Sequence, residues 1–162
     1  NSLPIAELAA LCVEEPLQLS GLDGPPVQWI ETTTEEAEAA ADQEVERLIS
    51  EGWNPGDICV LTTGSRHAIQ RQDGEGAMSR VYWKKFFEEE ATYHCTTTGF
   101  KGLERRAIVL AINGWKDPAR KKDILYTSIT RARDLLIVCG SKEEITQSGG
   151  KEFFKKLSKS NP

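Results

Sequence analysis

The sequence predicts an α/β domain with a mostly parallel sheet, flanked by helices on both faces. Three observations carry this. The runs Ile58–Thr62, Ala107–Ile112 and Leu135–Gly140 are almost continuously apolar, as strands covered on both faces must be. Stretches of helical period lie between them, and that alternation is the pattern of helices packed on a parallel sheet. The length, 162 residues, suits a single domain with a real core.

Pro4 to Val13 is expected as a short helix. Ser2 is placed to cap it, with Ile5, Leu8 and Leu11 at helical spacing. Gly21 to Pro26 is turn-rich, and Val27–Ile30 follows as a short strand. Thr33 or Thr34 caps a long helix through Ser50, with Ala37, Ala41, Val45 and Leu48 on one face. Gly52 ends it, and Asn54-Pro55-Gly56 turns into the strand Ile58–Thr62. Gly64 to Met78 is polar, with a glycine-rich tip at Asp73–Gly76. Val81 to Glu90 fits helix or strand; its aromatics are expected in the core. Ala91–Thr96 and Ala107–Ile112 are expected strands, and Gly114–Arg120 a loop. Asp123–Arg133 is an expected helix, with Leu135–Gly140 the last strand. The remaining residues, 141–162, are expected as a peripheral segment: a polar linker, then a basic amphipathic helix over Lys151–Lys159.

Composition narrows the function. Hydrophobic residues at 39% and charged residues at 28% exclude a wholly disordered chain. No apolar run approaches the roughly 18–20 residues that span a bilayer, and no leader pattern opens the chain. A cytoplasmic protein without membrane contact is expected. The absence of an initial Met suits a piece of a longer protein. Cys12, Cys59, Cys95 and Cys139 are far apart, and only His67 and His94 could join them. No metal-ligand spacing results, so no metal site is expected, and the thiols are expected reduced and buried. The net charge of −5 hides an asymmetry. Glu31–Asp57 holds nine acidic residues and one basic, whereas Lys101–Arg133 holds nine basic and three acidic. The first is the solvated face of a helix; the second can make one surface positive.

No G-x-x-x-x-G-K-[ST] loop, dinucleotide fingerprint or nucleophile elbow occurs. Two other stretches carry chemistry. Thr96-Thr97-Thr98-Gly99-Phe100-Lys101-Gly102-Leu103-Glu104 precedes one apolar strand. Its hydroxyls suit phosphates, its glycines allow close approach, and Glu104 can accept from sugar hydroxyls. Leu125-Tyr126-Thr127-Ser128-Ile129-Thr130-Arg131-Ala132-Arg133 precedes another. Arg131 stands between a helix and a buried strand, where a guanidinium is rigidly placed for a terminal phosphate. Taken singly, Arg131 also suits a surface ion pair, and Thr96–Thr98 a strand end. Ligands of parallel sheets usually bind at the carboxyl ends of strands. That rule points to the loops after Leu61, after Cys95 and around Gly114.

In combination and order, the two stretches resemble motifs V and VI of superfamily 1 helicases of the UvrD/Rep type. The detailed match is confined to about Thr96–Gly140. The resemblance implies the second RecA-like core domain of an ATP-dependent DNA helicase or translocase, spanning residues 1–162. Its partners would be the N-terminal RecA-like domain of the same full-length protein and single-stranded DNA, or RNA. Its cofactor would be ATP with Mg²⁺, the Mg²⁺ held by that N-terminal domain. Arg131 then corresponds to the arginine finger, Glu104 to the carboxylate on the ATP ribose, and Gly102 to its close neighbour. Thr96, Thr97, Thr98 and Lys101 correspond to the single-strand loop of motif V, and Arg66 to a strand-phosphate contact after Leu61.

The chain departs from that family in three ways. Thr98 stands where the family often has His. Only about 30 residues separate Arg66 from Cys95, too few for the family's helical insertion. The motif IV arginine expected just before the first helix is missing. Lacking the phosphate loop, the chain alone is expected not to hydrolyse ATP. A non-hydrolysing RecA-like module that binds nucleic acid or protein is the alternative. Trp115, between the two motifs, is the one tryptophan placed to stack on a base; packing is the other use of such a ring.

Overall fold

The computed structural model describes residues 1–14, 19, 21–72 and 80–160; the Asp73–Gly76 tip lies outside them. Five strands form one sheet: β1 (Gln28–Glu31), β2 (Ile58–Thr62), β3 (Tyr93–Thr96), β4 (Arg105–Ala111) and β5 (Ala132–Gly140). Their order is β1-β5-β4-β2-β3, and every pairing is parallel. The helices are α1 (Leu3–Ala10), α2 (Ala37–Ser50), α3 (Ala68–Gln72), α4 (Arg80–Glu88), α5 (Lys121–Ile129), α6 (Lys142–Gly149) and α7 (Lys151–Lys159). This is the expected α/β architecture, consistent with a RecA-like fold.

Alternating residues of each strand feed two cores. Ile108, Leu110, Leu136 and Val138 face α1, α5, α6 and α7. Ala107, Val109, Ala111 and Ile137 face Ala37, Ala41, Val45 and Leu48 of α2. Alanine on both sides lets α2 lie close to the strands. The step from β1 to β2 and the step from β4 to β5 run in opposite directions across the sheet. Right-handed connections therefore place α2 and α5 on opposite faces. The connection β3–β4 carries no helix; residues 97–104 cross β2 on the α5 side, plugged by the fully buried Phe100.

Some boundaries differ from expectation. α2 starts at Ala37, but Thr33 closes the turn before it: its hydroxyl accepts from Glu36 N and faces the Glu36 carboxylate. The helix expected through Arg133 stops at Ile129, because β5 already begins at Ala132. The ambiguous stretch is helical; Phe86 is buried there while Phe87 is 73% exposed. The segment expected at the periphery contributes Ile145, Phe153 and Leu157 to the core. Its expected linker is α6, capped by Ser141 accepting from Glu144 N. Arg105, almost fully buried, joins α4 to β4 by binding Glu89 and the Phe86 carbonyl beneath the Phe86 ring. No helix among the described residues is long and apolar enough to cross a membrane.

All four cysteines are buried and unbridged. Burial pushes the Cys12 thiol up to about 11 and the Cys139 thiol up to about 12, and raises Cys59 well above its ordinary value. The thiolate is the reactive form. A colorimetric disulfide reagent at pH 8 is therefore expected to find no fast thiol in the native chain. Four should appear in denaturant. A thiol modified within seconds in the native state would contradict this packing.

Candidate functional site

The structure sorts the candidate residues to two opposite edges of the sheet. At the carboxyl edge, the loops after β2, β3 and β4 are stitched together. Thr63 N donates to Ala111 O and Thr63 O accepts from Lys116 N, while the Thr63 hydroxyl donates to Gly114 O. Asn113 accepts from Gly64 N and donates to Glu38 and Ser65. Gly64 lies so close to Gly114 that a Cβ would sit 2.9 Å from its carbonyl carbon. Thr97 N donates to Thr62 O, which ties the loop after β3 to these two.

Thr98, Lys101 and Arg66 are exposed on this edge, and Thr96 is half-buried with its hydroxyl accepting from Gly99 N. Lys116 joins them. A groove of about 420 Å³ runs between Thr97–Lys101 and α5, and one of about 390 Å³ lies between Arg66 and Thr98. Lys101, Lys116 and the Arg66 guanidinium have no ion-pair partner among the described residues. Cations without internal partners, beside hydroxyls and backbone, suit a phosphate backbone. Thr97 differs from its neighbours. It is 2% exposed, and its hydroxyl meets Thr62 O at 3.2 Å and Ser128 Oγ at 2.8 Å. Its hydroxyl braces the loop against β2 and α5 at the wall of the larger groove.

Glu104 and Arg131 lie at the other, amino edge, which the carboxyl-end rule does not indicate, and Gly102 lies on the crossing between the edges. Gly102 has φ +86°, a conformation that glycine adopts without strain. Glu104 is 64% exposed, 3.8 Å from Arg133, on a pocket of about 540 Å³ shared with residues 22–25. Arg131 is half-buried, and neither a surface ion pair nor free. Its guanidinium donates to Thr127 O (3.1 Å), Leu103 O (3.3 Å) and Thr130 Oγ1 (3.1 Å). These acceptors are neutral, so its charge stays uncompensated. It fastens the last turn of α5 to the end of the 97–104 crossing. That crossing thus joins the two edges.

Trp115 is fixed away from stacking: its indole N–H donates to Glu144 and its ring packs on the core. One grouping has no signal in sequence spacing. Asp42 of α2, His67 before α3 and His94 of β3 meet at the β3 side of the sheet. His67 Nε2 is 3.0 Å and His94 Nε2 3.9 Å from Asp42 Oδ1. Burial raises the Asp42 carboxyl above its ordinary value, opposed by His67. The only hint was that the two histidines are the chain's full complement.

No protein-family model matches the sequence, and no curated protein matches it. Among solved structures, the chain is similar to the C-terminal domain of a possible DNA helicase from Lactobacillus plantarum WCFS1. The match has a TM-score of 0.52 at 10% identity, over 95% of this chain and 90% of that one. At that identity the likeness is one of fold: this chain shares the architecture of a domain described as part of a possible DNA helicase.

Proposed function

We propose that the chain is the second motor domain of an ATP-dependent superfamily 1 DNA helicase or translocase, of the UvrD/Rep type. One observation carries the reading: a single eight-residue crossing, 97–104, begins at the cationic carboxyl edge and ends beside Glu104 and Arg131. Thr96, Thr98, Lys101, Lys116 and Arg66 hold the phosphates of one strand, and Thr97 braces the loop. Glu104 receives the ribose of ATP beside Gly102. Arg131 supplies positive charge to the γ-phosphate, which the N-terminal RecA-like domain holds with Mg²⁺. Turning Arg131 toward a nucleotide releases Leu103 O, so occupancy at one edge loosens the loop that serves the other. The likeness to a helicase domain supports this reading at the level of fold.

The three bonds that hold Arg131 favour a second reading, a nucleic-acid-binding module that does not use ATP. Amide shifts of the isotope-labelled chain separate the two. On the motor reading, oligonucleotide shifts Thr98, Lys101 and Lys116, and millimolar ATP shifts Gly102, Glu104 and Arg131. The module reading gives the first set alone. The chain by itself turns over no ATP on either reading. Three phosphate contacts give a slope near −2 for log K against log salt, and Lys101→Ala flattens it by about 0.7. Oligonucleotide affinity indifferent to salt and to Lys101 would sink both.

A further inference from the structure

We propose that Asp42, His67 and His94 form a binding site for one divalent transition-metal ion of the zinc class, which clamps the Arg66 loop to α2 and β3. The chain has two histidines, and the fold brings their rings to 4.5 Å between centroids. With Asp42 they present three ligand atoms within 4.8 Å of one another. Ligand bonds of about 2.0–2.2 Å place donors roughly 3.3 Å apart, so closure of up to about 1.5 Å completes the set. Two imidazoles and a carboxylate favour zinc-class ions over Mg²⁺ or Ca²⁺, which take all-oxygen sites.

A second observation points into the same space. His67 is 2% exposed, and its Nε2 makes no hydrogen bond of acceptable geometry although Asp42 Oδ1 is near. Its near neighbour is the Asp42 carboxylate, and an ion held between the two would take both as ligands.

The proton balance is specific. His67 Nδ1 accepts from Ile69 N at 3.1 Å, so without metal the neutral ring carries its proton on Nε2. Coordination uses the Nε2 lone pair. The proton then passes to Nδ1 by exchange with solvent, and the Ile69 N–H bond is given up. Ile69 is 39% exposed and can turn its N–H to solvent, while the five-residue α3 must shift to give the new Nδ1–H an acceptor. Asp42, 44% exposed, leaves solvent to supply a fourth donor. His67 directly follows Arg66, so the ion fixes the loop that carries this cation. The metal claim itself does not depend on the motor reading.

The test is a zinc titration of the chelator-stripped chain, followed by imidazole ¹H–¹⁵N correlations and thermal melting, with cobalt(II) as a coloured probe. One equivalent is expected to shift both histidine rings and the Ile69 amide and to raise Tm. Asp42→Asn and His94→Gln should each weaken binding by about 100-fold or more. Asp42 is half-exposed and its variant keeps the side chain's shape, so that variant decides the matter if a histidine variant fails to fold. Absence of saturable one-to-one binding would overturn the site. So would affinity unchanged in Asp42→Asn, or a cobalt–thiolate band showing capture by cysteine.

Discussion

On the motor reading, Arg131→Ala in the full-length protein is expected to lower ATP turnover by about 10³-fold or more, with the domain still folded. That factor is about 4 kcal/mol of transition-state stabilisation. The structural part of the change is smaller. Alanine removes three hydrogen bonds to neutral acceptors on a half-buried side chain, a loss on the order of 1–2 kcal/mol. A melt and a steady-state assay together separate the two parts. The helix-fastening role lowers Tm by a few degrees and leaves kcat alone; the finger role collapses kcat while the Tm change stays small. Arg131→Lys sharpens the distinction. Lysine keeps a charge but not the planar fork that spans three acceptors and then a phosphate. Turnover unchanged in Arg131→Ala would leave the residue as a fastener only and exclude the finger role.

Phe100→Ala should be the most damaging single truncation in the crossing. The ring is fully buried, with Phe86 at 5.9 Å and Tyr93 at 6.1 Å between centroids. Emptying such a site costs about 3–5 kcal/mol, and on the order of 10 °C in Tm for a domain of this size. Phe87→Ala is the control. The same side chain, 73% exposed, should change stability by less than about 0.5 kcal/mol. Phe100 is also the only buried anchor between Thr98 and Glu104. Its loss should therefore weaken oligonucleotide binding at the carboxyl edge as well. Urea unfolding that shows less than about 1 kcal/mol for Phe100→Ala would mean the crossing is not held by its plug.

The fold was legible where burial is symmetric. β2, β4 and β5 are continuous apolar runs because helices cover both faces, and no other use of such runs fits their length. The segment α6 was not legible in its periodicity, since Lys142–Gly149 buries little beyond Ile145 and Ser148. Its signal was local chemistry, Ser141 followed three residues later by Glu144. The candidate site was legible as residues but not as places. Spacing picked out Thr98, Lys101, Glu104 and Arg131, yet it could not say that a short crossing sends them to opposite edges. Thr97 looked like its neighbours until the fold turned it toward Ser128. The meeting of Asp42, His67 and His94 depends on three separate elements, and no local pattern encodes such a contact.

The strand order has a consequence for how the chain acquires its shape. β1 pairs only with β5, so Gln28 waits for Ile137 and Glu31 for Gly140. Asn1 and Ser2 likewise bond to the backbone between Thr130 and Asp134. β1, Asn1 and Ser2 therefore find these partners only among residues 130–140. On a ribosome the early strand emerges long before its neighbour exists. Closing so large a loop demands entropy before any pairing returns it, and distant pairings of this kind slow folding. The β1–β5 pairing is thus expected to form late in folding.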